Sequence, residues 1–248
     1  MRFRKEIQKM LWEKRMMKNK KWKEFDKLTY RCYNNIAGLD SDDTCWKHAF
    51  DLLMGIVKEE RKQNPDFAKE LYLLDDETDY MHDTVEWIED CLDETDMKEE
   101  YQQLLEMCNE LIENFVWSGY TGSDMKFRKS GALRMLKRTD EAVQFCNHWM
   151  NKEPENIMAG TAYVYALIDA KEYEKAKQII EMFLDDDTEC SEENEIMFIA
   201  ASRYYGAAGN KKKQKELDKI IKAYDDYIDD KMMNDWLEGD DDGEYDFL

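Results

Sequence analysis

The sequence predicts an all-α protein built from stacked antiparallel helical hairpins, and three observations carry that expectation. Ala142 and Ala176 stand 34 residues apart, each in the same local pattern near the start of a second helix. Apolar residues recur at helical spacing along nearly the whole chain. Only 2 prolines and 10 glycines punctuate 248 residues, too little for the many turns of an all-β protein.

Taken in order, residues 3–17 place Phe3, Ile7, Met10, Leu11 and Met17 near one helical face, and 20–37 do the same with Trp22, Phe25, Leu28, Cys32 and Ile36. Gly38 ends that element. After the turn LDSDD, a helix from about 44 to 63 carries Trp46, Phe50, Leu53, Met54 and Val57, with Asp42 or Asp43 as its cap. Asn64-Pro65 starts a short helix through Leu74. The acidic turn DDETD leads into a helix over 79–93, carrying Val85, Trp87, Ile88, Cys91 and Leu92. A helix over 97–116 follows, with Leu104, Leu105, Cys108, Leu111, Ile112 and Phe115 on its apolar face. The loop WSGYTGSD (117–124), with two glycines, marks the boundary before a more regular part. The predicted organisation is thus 1–116, degenerate hairpins with a basic N-terminal helix; 122–230, regular repeats; and 231–248, an acidic tail.

The regular part shows its repeat in the residues themselves. MLKRTDEAVQFCNHWMNKEP (135–154) and LIDAKEYEKAKQIIEMFLDD (167–186) each run from an apolar helix end through a polar turn to the small residue. Pro154 stands twelve residues after Ala142 and would end a continuing helix. The second copy has Tyr173 three residues before its alanine, but Thr188 at the proline position and Lys171 in the turn. A third copy, 196–221, offers Phe198, Ala201, Ser202, Tyr205 and turn Gly209, with Gln214 at the small-residue site. In this spacing the chain resembles the tetratricopeptide repeat (TPR) family. The resemblance implies a TPR-like α-solenoid, a right-handed superhelix of about five hairpins. Its physical logic is that an alanine at the helix crossing lets two backbones approach, where a large residue would overpack the contact. Each hairpin buries one face alone and stacking buries the other. With Gln214 at that site, looser packing is expected in the last hairpin.

The same resemblance implies a function. In the family the first helix of each hairpin lines a groove for a partner segment, and the matching helices are 123–136, 157–170 and 195–208. The side chains facing the groove would be Phe127, Arg134 and Met135, then Met158, Thr161, Tyr165 and Ile168, and finally Ile199 and Arg203. Exposed apolar and aromatic residues with arginines are typical binding anchors. The alternative is that a terminal helix or the 117–124 loop covers them and they are core. Carboxylate-clamp members of the family carry Lys and Asn where this chain has Phe127 and Gly131, so a chaperone-tail partner is not implied. The expected role is a non-catalytic protein-protein interaction module.

Composition narrows the rest. The 43% apolar residues, with 7 Trp and 16 Met, suffice for a core, and the 38% charged residues would coat the helices. No stretch approaches the roughly 20 apolar residues of a membrane span, and the start lacks the apolar region of a secretory signal. A cytoplasmic location is expected, without a membrane partner. The six cysteines, Cys32, Cys45, Cys91, Cys108, Cys146 and Cys190, form no pair at two-residue spacing and are expected as reduced core residues.

The formal net charge of −21 disfavours nucleic acid as a partner. Yet the first 28 residues hold eleven basic side chains against four acidic ones. That end sustains a rival reading, a regulatory or nucleic-acid-associated protein touching phosphate through Lys18, Lys20, Lys21 and Lys23. The opposite end is acidic, so weak self-association between the two ends is also expected. A second rival is an enzyme with an unrecognised site. His48, His82 and His148 lie in no zincin, triad or Cys/His context, and no phosphate loop is present. His82 and Glu86 share a helix face, as a surface pair more readily than a metal site, and His148 is expected at a packing interface. The tail EGDDDGEYDFL alternates acids like a calcium loop but ends before the closing glutamate. No catalytic residue, metal or cofactor is assigned.

Overall fold

The computed structural model describes residues 20–78, 81–185 and 187–239, with side chains through Met233. The readings made for 3–17 and for the calcium-like tail lie outside the described residues or their described side chains. The chain divides into two compact units, one ending at Gly122 and the other beginning at Ser123. Among the described residues every regular element is a helix, and no helix is long and apolar enough to cross a membrane.

The first unit holds α1 (20–36), α2 (Cys45–Arg61), the single turn α3 (Leu73–Asp76), α4 (Thr84–Met97) and α5 (Tyr101–Asn114). The second holds α6 (Ser123–Met135), α7 (Thr139–Lys152), α8 (Ile157–Asp169), α9 (Tyr173–Phe183), α10 (Glu195–Ala207) and α11 (Lys211–Gly239). In five pairs, α1/α2, α4/α5, α6/α7, α8/α9 and α10/α11, the first helix ends in one and the same turn. After α6 the Lys137 N–H donates to the Arg134 carbonyl and the Arg138 N–H to the Leu133 carbonyl. The same two bonds recur around Gly38, Glu99, Lys171 and Gly209. Each of these residues has a positive φ, from 58° to 85°, so the last helical carbonyls are satisfied by a left-handed residue just past the helix. The family-like turn glycine expected at 171 is thus a lysine in the glycine conformation. Its side chain costs backbone energy there.

Between paired helices, small residues permit close approach. Ala142 and Ala176 are fully buried on α7 and α9. Gly160 of α8 leaves no room for a side chain, since a Cβ there would meet the Phe183 ring at 2.3 Å. In the last hairpin the expectation of looser packing at Gln214 needs correction. A Cβ on Gly206 of α10 would meet the Gln214 side chain at 2.9 Å, so the small residue has moved to the facing helix. α11 also continues through Lys231 to Gly239, where the sequence suggested a tail.

The first unit is held by aromatic packing. Phe25 meets Trp87 edge-on at 5.0 Å, Trp87 stacks on Trp46 at 5.9 Å, and Trp22 stacks on His82 at 4.9 Å. His82, read as a surface neighbour of Glu86, is instead drawn in against Trp22, with Nδ1 2.8 Å from Asp26. Ile36, expected in the core, is 54% exposed, because it is the last residue of α1, where the chain leaves the helix. The short helix expected over 65–74 is a succession of turns, leaving only α3. Arg61 explains it: Nε donates to the Phe67 carbonyl at 3.0 Å and Nη2 to the Ala68 carbonyl at 2.6 Å. Those carbonyls would otherwise accept helical N–H groups, and Ala68 at φ 39° breaks any continuing helix. Nη1 of the same guanidinium reaches the Asn114 carbonyl, tying the segment to the end of α5. Helix α4 starts at Thr84 rather than 79, because the Asp75 carboxylate accepts the Thr84 N–H at 2.7 Å. Likewise Asp42 bonds the N–H of Thr44, one residue before α2, and not a helical N–H.

Two substitutions test this geometry. Ala176→Leu is expected to destabilise by about 1–3 kcal/mol through overpacking, read as a lower midpoint in urea. Lys171→Gly is expected to stabilise by about 0.5–1 kcal/mol, since relief of roughly 1–2 kcal/mol of left-handed strain exceeds the added freedom of the unfolded chain. A lysine at ease in that turn would leave the midpoint unchanged or lowered.

Candidate functional site

Within the second unit α8 packs against α6, α7, α9 and α10, and its sequence IMAGTAYVYALID leaves only four positions that are not buried, Ile157, Met158, Tyr165 and Asp169. On the face shared with α6 and α10, Tyr165 is the large residue that still reaches the surface. Phe127 of α6 meets its ring edge-on at 6.4 Å and 71°. The Arg134 guanidinium lies 4.9 Å from the ring centre and that of Arg203, from α10, 5.3 Å. Three helices thus converge on one phenol. Burial pushes the Tyr165 hydroxyl above its usual pKa, and the two arginines pull against that rise. Arg134 is itself fixed by Asp169, Nε to Oδ2 2.7 Å, an anchor absent from the sequence reading. Its signal was there: the two residues stand about one repeat apart, on successive first helices.

The nine expected groove residues separate into groups. Phe127, Arg134, Tyr165 and Arg203 are brought together, while Met135 and Ile199 are exposed at 49% and 41%. Met158 is half-buried on α8. Thr161 and Ile168 are buried, so neither offers surface to a partner. Thr161 Oγ1 turns back to the Ile157 carbonyl at 2.8 Å, and Ile168 lies in the α8 core one residue from the ion pair at Asp169.

What holds α6 against α8 is a polar node at the start of α8. Asn156 caps that helix, its Oδ1 accepting from the Met158 N–H at 3.0 Å and the Ala159 N–H at 3.4 Å. Its Nδ2 donates to Ser123 Oγ at the head of α6 and to Glu153 Oε2. Glu153 also accepts from Trp149 Nε1 at 2.8 Å and pairs with Lys126 of α6 at 2.5 Å. Burial opposes its ionisation most strongly, yet the bonds from Lys126, Trp149 and Asn156 together hold the carboxyl below its ordinary value of 4.5. None of this registers in a repeat pattern, because the partners are distant in sequence and polar.

No ligand set for a metal is assembled among the described residues. Cys32, Cys45, Cys91, Cys108 and Cys146 are buried and Cys190 is half-buried. Burial pushes the Cys32 and Cys91 thiols far up and Cys146 up to about 12, the reverse of what a thiolate nucleophile needs. His148, expected at a packing interface, is exposed, since it lies on the outer side of α7 away from Cys146 and Trp149.

No family model matches the chain, and no curated protein matches it. Among solved structures it is similar to the crystal structure of a putative kinesin light chain of Podosopora anserina with nearly identical TPR-like repeats, at 12% identity and a TM-score of 0.45. The match covers 81% of this chain and 94% of that one. At that distance the hairpin stack stands on its own packing and turns.

Glu153 yields a pH test. Because its folded pKa is depressed, its stabilisation is fully present above the unfolded value near 4.5 and is lost as pH falls through the folded value. Glu153→Gln should cost about 1–3 kcal/mol at pH 7. The gap between variant and wild type, followed by thermal unfolding, should narrow as the pH falls below about 4.5. A constant gap would mean that the charge of Glu153 contributes nothing.

Proposed function

We propose that the protein is a non-catalytic interaction module that holds a segment of a partner protein against the face formed by α6, α8 and α10. The convergence of Phe127, Arg134 and Arg203 on Tyr165 supports this reading above all else. A ring held on one side by an edge-on phenyl and flanked by two guanidinium groups is a pre-organised anchor, able to receive an apolar side chain and a carbonyl or carboxylate of the same segment. Exposed Met135 and Ile199 widen the apolar rim. Chemistry within the groove would need an acid, base or nucleophile, and the polar groups around Tyr165 are two permanently charged arginines and a paired carboxylate.

Replacing Phe127 and Tyr165 together by alanine should weaken partner capture more than about tenfold, as truncation of buried aromatic anchors commonly costs about 2 kcal/mol or more. Affinity enrichment with quantitative mass spectrometry, wild type against the double variant, reads the loss. Circular dichroism should find the helix content of the variant nearly unchanged. A variant that unfolds would assign both rings to the core instead.

A further inference from the structure

Helix α11 is 29 residues long, while its hairpin partner α10 has 13. It meets α10 on one side: Gln214 lies over Gly206, Leu217 is buried, and the Asp218 carboxylate accepts from the Ser202 hydroxyl. A second stripe runs along another side. Ile220, Ala223, Tyr224 and Tyr227 recur there at steps of three and four, with Glu216 at one end and Lys231 at the other. Ile220 is 38% and Tyr227 60% exposed, Ala223 is exposed, and Tyr224 is half-buried. With Cys190 and Ser191 of the preceding loop, these four side chains line a shallow depression of about 670 Å3.

We infer that this stripe docks a second copy of the chain, α11 lying antiparallel against α11. The order of residues along it is its own complement. Ile220 stands three residues before Ala223 and Tyr227 three after Tyr224, while Glu216 stands seven before the one and Lys231 seven after the other. A two-fold axis between Ala223 and Tyr224 therefore brings Ile220 level with Tyr227 and Glu216 level with Lys231, each pair twice. Charge follows the same order. Residues 211–222 hold six lysines against two carboxylates, and 223–231 four aspartates against one lysine, so only the antiparallel sense sets opposite charges side by side. At about 100° per residue, Lys219, Asp226 and Asp230 share the flank of the stripe away from Leu217, and the two-fold axis sets that flank against itself. Lys219 of one copy then falls level with the midpoint between Asp226 and Asp230 of the other, about 3 Å along the axis from each at about 1.5 Å per residue. None of these residues belongs to the Tyr165 face.

Sedimentation equilibrium of the full-length protein from about 10 μM to about 1 mM tests it, the range suited to a contact this short. The wild type should pass from monomer to dimer. Lys219→Glu alone and Asp230→Lys alone should each raise the dimer dissociation constant about fivefold or more, because each sets like charges level twice over. An equal mixture of the two variants should recover the association, since each copy then supplies the charge that the other lacks. Ile220→Ser/Tyr227→Ser should weaken the dimer at least about tenfold through its apolar centre, with helix content by circular dichroism unchanged, as these side chains are exposed. A wild type that stays monomeric throughout overturns the assignment. So does a dimer indifferent to these substitutions, or a mixture that associates no better than either charge variant alone.

Discussion

The structure depends above all on the reversal of the chain after the first helix of each hairpin. Two hydrogen bonds to the last helical carbonyls and one left-handed residue set the direction in which the second helix departs. Gly38, Glu99, Lys137, Lys171 and Gly209 all take that conformation. Because the reversal is the same each time, helix after helix returns against its predecessor at a place where a small residue admits it. Alanine on the returning helix serves in two hairpins, and glycine on the outgoing helix serves in the last. Stacking then brings α6, α8 and α10 side by side, and α8, with neighbours on every flank, keeps only Ile157, Met158, Tyr165 and Asp169 unburied.

How much of this can be read from the chain follows from the kind of force involved. Apolar periodicity reports the side chains a helix buries, so the first helices of the second unit, α6, α8 and α10, stood out with ends close to those observed. The turn at 171 was legible as a position, although its glycine was missing, since spacing persists when composition drifts. Gln214 misled because a pattern that tracks one helix does not see a compensating Gly206 on the facing one. The segment 65–74 misled for a different reason: its fate is decided by Arg61 and the end of α5, contacts that local propensity does not contain. At the candidate site Phe127, Arg134, Tyr165 and Arg203, expected from the family's groove spacing, came together around one ring. Thr161 and Ile168 did not, for a helix with neighbours on four sides presents a narrower face than one packed on a single side.

The two units reach rigidity by unlike means. In the first, tryptophan, phenylalanine and histidine rings stack across α1, α2 and α4, a contact that tolerates irregular helix lengths and spacing. In the second, small residues and a regular turn impose uniform approach, and polar nodes such as Glu153 and Asn156 fix the remaining freedom. Register errors would be costly in the second unit and absorbed in the first. The degenerate sequence before residue 117 is consistent with that difference.

Of the six thiols, five are shut inside hairpins, and Cys190 alone lies partly open, at the loop beside α11. Its thiol is raised by burial and then by Glu195 and Asp225, so it reacts slowly, yet it has no competitor of equal access. The molecule thus comes with a single chemical address. A maleimide dye or spin label introduced without any mutation would sit beside the overhanging helix, and its emission or line shape would report from that one position on whatever comes to rest there.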